Sequence, residues 1–531
     1  MKTYLKVVFC LLFFAFSVKN CLPQATVDWY NIYSGPKNIG FESEQVVADD
    51  SGNVYITGTA VSGPYSDKTS YLDIVTVKYG PSGNIIWQKS YFSSGSAEDY
   101  PQSLTLDRNS NVYVTGNIFD TVSNVYSHVT LKYSPGGNLI WAAKQQNAYL
   151  GDVYRKGLVF DSAFNVYVFC RDLNYSYFIK YNSLGDSLWK YKTTDQIIGS
   201  MSDKDNNLLI ADLHGLRKLN NEGNLVWQKT MSGLFYYADI TGDEYGNYYF
   251  CGNTLDSIVF CKISNAGDVV WTKKIKRYNQ TNYNFYGDQR CIITKDGNIV
   301  IASQNPLGSY SEMFVNKYNP DGDLLWSLRY SLSDSSYQAL HELKEDSRGF
   351  LYAYGYSRKA NNPINPNDYF VILKIKPNGN IIRTTRFGTL PTYSGFPKSF
   401  TVGKDFKMYV ALTDYITENH FYYKTIFVKY SQPYDTLFIP VAVPTGYDLL
   451  QNYPNPFNLT TKFKFRIPKY THVLLTVYDA LGRKVSDLID ANIQSDWHTY
   501  TWDASGLSSG LYFYRFETPE YTAVRKMILV K

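Results

Sequence analysis

Between residues 26 and 430 the apolar and polar positions alternate with a period near two, in short runs such as Val54-Tyr55-Ile56-Thr57 and Val112-Tyr113-Val114-Thr115. This is the pattern of half-buried β-strands. Gly, Asn and Asp punctuate the runs, and they supply the backbone conformations of tight turns.

Two segments recur. The first joins a Lys to a Trp nine residues later across a Gly-Asn or Gly-Asp pair. Its copies begin at Lys78, Lys132, Lys180, Lys218, Lys262 and Lys317, and a seventh runs from Lys374 to Arg383, where a Trp is expected. Constant spacing predicts a hairpin with one fixed turn. The second follows an Asp-x-x-Gly-Asn-x-Tyr pattern, clearest at Asp49–Tyr55, Asp107–Tyr113 and Asp161–Tyr167, with weaker copies at 203, 243, 295, 346 and 405. One copy of each makes a unit of four antiparallel strands, and a period of about 40–57 residues predicts a propeller blade.

The eighth unit ends at Lys429-Tyr430 without a Trp strand, whereas Thr26–Tyr33 carries Trp29 with no hairpin before it. The expectation is an all-β, eight-bladed propeller that the N-terminal strand closes. Seven blades is the alternative count, if the short unit around Asp203 fuses with a neighbour. Tight turns then gather at one end of the blades and irregular loops at the other, where recognition is expected. Residues of the loop end singled out as ligand-binding are Tyr100, Tyr154, Arg155, Tyr236, Arg290, Tyr337 and His341.

Residues 431–446 carry three prolines and read as a linker. Residues 447–531 hold a different series of short strands, expected to form a small immunoglobulin-like β-sandwich. At the other terminus, Lys2 and Lys6 precede an apolar run from Val7 to Val18, too short to span a bilayer, so residues 1–25 read as a secretory signal peptide. Cleavage is expected after Ser17 or Ala25.

Composition narrows the function. Aromatics are 17 % of the chain, with 50 Tyr, and the net charge of +5 is spread without a basic run, which sets a nucleic-acid groove aside. Of six Cys, Cys10 lies in the signal; Cys170, Cys251, Cys261 and Cys291 sit in strand contexts as buried thiols, with Cys251–Cys261 the one plausible disulfide. The six His show no metal-ligand spacing. Gly506-Leu507-Ser508-Ser509-Gly510 fits a nucleophile elbow, but no His follows it. Asp203-Lys204-Asp205-Asn206-Asn207 lacks the Gly and Glu of a calcium loop and reads as a turn. No catalytic residue, metal or cofactor is therefore expected. The repeated Trp are expected to be blade core.

The tail resembles the type A sorting domain of proteins exported by the type IX secretion system of Bacteroidota. The resemblance rests on Leu450–Asn458, on Val477-Tyr478-Asp479-Ala480-Leu481-Gly482-Arg483, on Ser509-Gly510-Leu511-Tyr512 and on Lys526–Lys531. Within these, Asn455, Pro456, Tyr478, Gly482, Arg483, Gly510, Tyr512, Lys526 and Lys531 form the sorting motif. Leu459 departs from the family, which often has Pro there. The resemblance implies passage through the periplasm to the outside, with the secretion machinery as partner and the cargo released or attached to surface lipopolysaccharide. The first 430 residues resemble secreted β-propeller repeat proteins, and the Gly-Asn-x-x-Trp segment is similar to the tryptophan repeat of quinoprotein dehydrogenases. The resulting expectation is a secreted or surface-held, non-catalytic module that binds a carbohydrate or an envelope protein. The alternative is an extracellular propeller enzyme: a polysaccharide lyase, a hydrolase or a quinoprotein-like dehydrogenase.

Overall fold

A computed structural model describes residues 26–61, 72–92, 99–120, 124–146, 158–231, 236–254, 257–276, 289–307, 310–330, 336–359, 369–388, 397–416, 422–431, 447–467, 471–493 and 496–531. The expected signal peptide (1–25), Tyr154, Arg155 and all but the first residue of the expected linker lie outside them. The chain divides into two compact units, one holding most of the repeats and the other holding the tail.

Among the described residues the repeats form eight antiparallel sheets of four strands. Sheets one to seven span residues 41–91, 100–146, 158–193, 197–230, 236–276, 290–330 and 336–388. Strands follow chain order in each, so its first strand is one edge and its Trp strand the other. The short unit around Asp203 makes sheet four by itself. In sheet eight, Thr26–Tyr33 pairs with Tyr422–Ser431, beside Met408–Ile416 and Pro397–Val402. The N-terminal strand thus supplies the missing edge strand. First strands of consecutive sheets pack against one another through the whole series, and Phe41–Ala48 of sheet one meets Pro397–Val402 of sheet eight. The inner strands therefore close a ring.

The register explains the nine-residue spacing. Lys78 lies opposite Trp87 across their hairpin, as do Lys132 and Trp141, Lys180 and Trp189, Lys218 and Trp227, and Lys262 and Trp271. Each pair reaches the hairpin turn of the next sheet. Lys78 Nζ and Trp87 Nε1 donate to Pro135 O at 3.1 and 3.0 Å, and Lys132 and Trp141 donate to Ser183 O, both at 3.1 Å. Lys262 and Trp271 do the same to Pro320 O. Across the closure, Lys429 and Trp29 lie opposite each other on separate strands and both donate to Pro81 O.

The hairpin glycine completes this latch. Its φ is positive, and a Cβ on Gly83, Gly137, Gly185, Gly223, Gly267, Gly322 or Gly379 would sit 2.7–3.0 Å from the indole of the preceding sheet. Arg383, the one exception to the Trp, belongs to sheet seven. The sheet after it is sheet eight, whose last two strands come from opposite ends of the sequence and share no hairpin. There is no turn for a Trp to grip, so the exception follows from the closure.

The Asp turns are built on side-chain acceptors. Asp49 Oδ1 accepts from Ser51 N and Asn53 N, and Oδ2 accepts from Asn53 Nδ2 and Tyr55 Oη. Asp203 binds Asp205 N and Asn207 N in the same way, so the acidic string there is an ordinary turn. The Lys of the other motif lies over the Tyr: Lys78 Nζ is 5.0 Å from the Tyr55 ring centre and Lys180 Nζ is 4.7 Å from that of Tyr167. Lys180 also pairs with Asp161 at 2.8 Å, both side chains being 1 % exposed. Burial opposes the charge on Asp161, but hydrogen bonds from Lys180 and Asn165 outweigh it and hold the carboxyl below its ordinary value.

Cys170, Cys251, Cys261 and Cys291 are buried free thiols, as expected, and the one plausible pairing, Cys251 with Cys261, is not formed. Cys251 stands opposite Phe260 and Cys261 opposite Phe250, so the two thiols belong to opposite faces of one sheet and enter different cores. No helix among the described residues is long and apolar enough to cross a membrane.

The tail has one core between two sheets. Asp448–Leu449, Thr460–Ile467 and Asp496–Asp503 form the smaller sheet; Lys484–Ile493, Thr471–Asp479, Gly510–Glu517 and Thr522–Leu529 form the larger. Phe463 and Phe465 of the smaller sheet meet Leu475, Val477, Tyr514, Phe516 and Met527 of the larger in the space between them.

Candidate functional site

The loop end of the ring is where the inner strands begin. Tyr100, Tyr236 and Arg290 open the inner strands of sheets two, five and six, and Tyr337 and His341 lie on that of sheet seven. The side chains of Tyr236 and Tyr337 fall outside what the structure describes. Tyr100 is half-buried beside Asp99, which is buried and binds two sheets together: its N–H donates to Leu72 O and its Oδ1 accepts from Phe119 N.

Arg290 and His341 come from neighbouring inner strands. Arg290 Nε lies 4.0 Å from Glu342 Oε1, and its Nη1 donates to Gln289 O at 3.1 Å. His341 is the extra residue of a bulge between Leu340 and Glu342, with its ring 6.3 Å from that of Tyr354. Farther along the same strand, Lys344 donates to Phe400 O at 3.0 Å and Thr401 Oγ1 at 3.3 Å on the inner strand of sheet eight. Burial lowers the affinity of the Lys344 ammonium for its proton; Glu342 opposes that shift and Arg290 adds to it. Arg290, Glu342 and Lys344 thus link three consecutive inner strands, two cations with one carboxylate between them. That set matches a polar ligand with a carboxylate or several hydroxyls.

Sequence reasoning found Arg290 and His341 but missed Glu342 and Lys344. A positional signal was available. A bulge recurs five residues before five of the turns, at Glu44, Gln102, Ile198, His341 and Lys398, and four of these five are polar where the strand pattern expects apolar residues.

A second cluster, also missed, occupies the loop end of sheet four. Arg217 Nε lies 3.1 Å from Asp212 Oδ2, its Nη1 donates to Thr193 Oγ1 at 2.7 Å and Tyr191 Oη at 3.2 Å, and its Nη2 pairs with Asp195. Half-exposed His214 sets its Nδ1 3.4 Å from Asp195 Oδ1, and its backbone N–H donates to Asp212 Oδ1. One guanidinium leaves the two carboxyls unequal. Burial raises Asp212, with Arg217 offsetting part of it, whereas at Asp195 burial is outweighed by Arg217 and the carboxyl is lowered. The cluster clasps the two-residue turn Leu213-His214.

In the tail, the two ends of the sorting motif meet. Ile528 N donates to Asn455 Oδ1 at 2.9 Å, Phe457 N donates to Ile528 O and Val530 N to Phe457 O. Asn455 and the cis peptide to Pro456 thus sit in a segment that covers the edge of the last strand, and Gln451 Nε2 donates to Lys526 O beside it. Gly482 has φ 76° in a turn where Asp479 Oδ1 accepts from Leu481 N and Arg483 N, and Arg483 Nε returns to Asp479 Oδ2 at 2.7 Å. Tyr478 lies opposite Phe513 on the neighbouring strand, and Gly510 lies opposite Leu529. Tyr512 Oη donates to Ser508 O, and Lys531 N donates to Ser509 Oγ. Gly506–Gly510 is therefore the turn that leads into a tail strand.

Two family models match the chain. Residues 451–531 match the secretion system C-terminal sorting domain. The tail is a secretion sorting domain. Residues 90–119, from the outer edge of sheet one into sheet two, match a β-propeller repeat. The chain also shares 28 % identity over 133 residues with an uncharacterized WD repeat-containing protein of Acanthamoeba polyphaga mimivirus, covering 19 % of the chain and 9 % of the relative. Among solved structures, PorZ, a surface component of the type-IX secretion system of Porphyromonas gingivalis, is 9 % identical, with 92 % of this chain and 82 % of that one covered at a TM-score of 0.26. Virginiamycin B lyase from Staphylococcus aureus is 9 % identical, with 61 % and 96 % covered at 0.34. The two family matches carry the identification.

Proposed function

We propose that the mature chain is an eight-bladed propeller (26–430) joined by a linker (431–446) to an immunoglobulin-like sorting sandwich (447–531), and that it is a non-catalytic binding module. It leaves the cell by the signal peptide and the type IX machinery, and works outside, released or held on surface lipopolysaccharide. The loop end of the ring binds its ligand, a carbohydrate or an envelope protein. One observation carries this reading: the repeated Lys, Trp, Gly and Asp residues are consumed by turns and sheet-to-sheet latches, while irregular Arg290, His341 and Glu342 gather on neighbouring inner strands. Tyr100 belongs to the same surface, and Tyr154, Arg155, Tyr236 and Tyr337 are assigned to it by chain position.

Probing a glycan array and an outer-envelope extract with the exported protein tests the reading. Selective capture of one glycan class or one envelope protein is expected, and failure on both would contradict it. The unequal carboxyls Asp195 and Asp212 favour a second reading, an extracellular propeller enzyme. Polysaccharide breakdown that vanishes in Asp212→Asn would establish that instead.

A further inference from the structure

The outer wall of sheets three to five differs in charge from the rest of the chain. Their edge strands, Ser187–Thr193, Leu225–Thr230 and Val269–Lys276, carry Lys190, Lys192, Lys229, Lys273, Lys274 and Lys276 and no Asp or Glu. Acidic and basic residues are nearly balanced in the whole chain, 47 against 52, so six cations without an anion on three strands is a local excess. The strands are neighbours: Trp189 donates to Asn221 O and Trp227 to Asn265 O, each on the next sheet's hairpin. The carboxyls on these hairpins are the exposed Asp186, Glu222 and Asp268 at the turn end, half as many as the lysines.

Beside the lysines runs a band of bare aliphatic side chains. Leu188, Leu225, Val226 and Val270 are 50–54 % exposed and Val269 is 38 % exposed. Each precedes its Trp, so the latch holds the band rigidly in place. An edge strand with apolar side chains in water is a liability unless something covers it. A soluble polyanion would gain from the lysines but nothing from the aliphatics. A lipid surface gains from both, because its phosphates take the ammonium groups and its interface takes the aliphatics.

We infer that this sector of the propeller wall docks on a phosphate-bearing lipid surface, by contacts independent of the loop-end ligand site. The attraction is electrostatic first, so it weakens with salt, and each lysine contributes roughly fivefold in affinity.

The test is sedimentation of the purified exported protein with vesicles of phosphatidylcholine alone or of phosphatidylcholine with phosphatidylglycerol. Binding to the anionic vesicles alone, reversed by salt, is expected. Lys229→Glu/Lys274→Glu/Lys276→Glu should weaken it about a hundredfold, and Val226→Ser/Val270→Ser should weaken it while leaving capture by immobilised heparin unchanged. Lys89→Glu/Lys144→Glu, on the walls of sheets one and two, should keep it; an unchanged melting temperature in each variant shows that the fold is intact. Equal binding to both vesicle types, binding to neither, or loss in the Lys89/Lys144 control equal to that in the triple variant would overturn the assignment. So would heparin capture with vesicle binding indifferent to Val226→Ser/Val270→Ser, which would make the partner a soluble polyanion.

Discussion

At the scale of single residues, two glycines that look alike in the sequence have different causes. The Asp-turn glycine is replaced by Ser110, Phe164, Asn206 and Phe406, all of which take its positive φ. Nothing crowds it at Gly297, where a Cβ would meet no atom within 4 Å. The hairpin glycine is never replaced in its seven copies, because its missing Cβ leaves room for an indole. Gly185→Ala should therefore cost about 2–4 kcal/mol, from backbone strain and the displaced Trp141 ring, and a thermal melt compared with Gly297→Ala checks it. His128 makes a second prediction. It is 3 % exposed, its Nδ1 lies 3.3 Å from Asn117 Oδ1, and burial lowers its pKa to about 4. The unfolded chain takes that proton first, near pH 6.5, so stability falls as pH drops from about 6.5 to 4. Chemical denaturation should lose up to about 3 kcal/mol over that window, and His128→Gln should flatten the loss.

At the scale of elements, the hairpin and the Asp turn were legible because each repeats a local rule. The pairing of Lys with Trp follows from a spacing of nine, and the closing strand from the orphan Trp29. What stayed hidden is contact between units: that Lys and Trp share one carbonyl on the next sheet, that Arg383 faces a sheet without a hairpin, and that Arg290 meets Glu342. Such contacts carry no spacing in the sequence. The bulge at His341 also shifts the strand alternation by one residue, which masks Glu342 and Lys344. In the tail, the sorting motif reads as a list of residues, and the structure turns it into a segment laid along an edge strand. Asn455→Ala removes the acceptor of Ile528 N–H and should destabilise the tail by about 1–2 kcal/mol. The measurement is loss of hydrogen-exchange protection at Ile528 and Val530.

At the scale of the whole molecule, the chain separates what holds it together from what meets its surroundings. The turn end and its latches close the ring, and the tail addresses the chain for secretion. Removing Lys526–Lys531 takes away the second half of the last tail strand, Thr522–Leu529, and the truncated chain should accumulate in the periplasm on cell fractionation. In the proposed function the loop end is left to recognition. The most direct test of that division compares ligand capture by the exported protein with capture by Arg290→Ala and Trp141→Phe, each measured well below its melting temperature. The loop-end variant should lose capture by about tenfold or more while the latch variant keeps it and only melts earlier. Undiminished capture by Arg290→Ala, with loss in Trp141→Phe, would contradict the account.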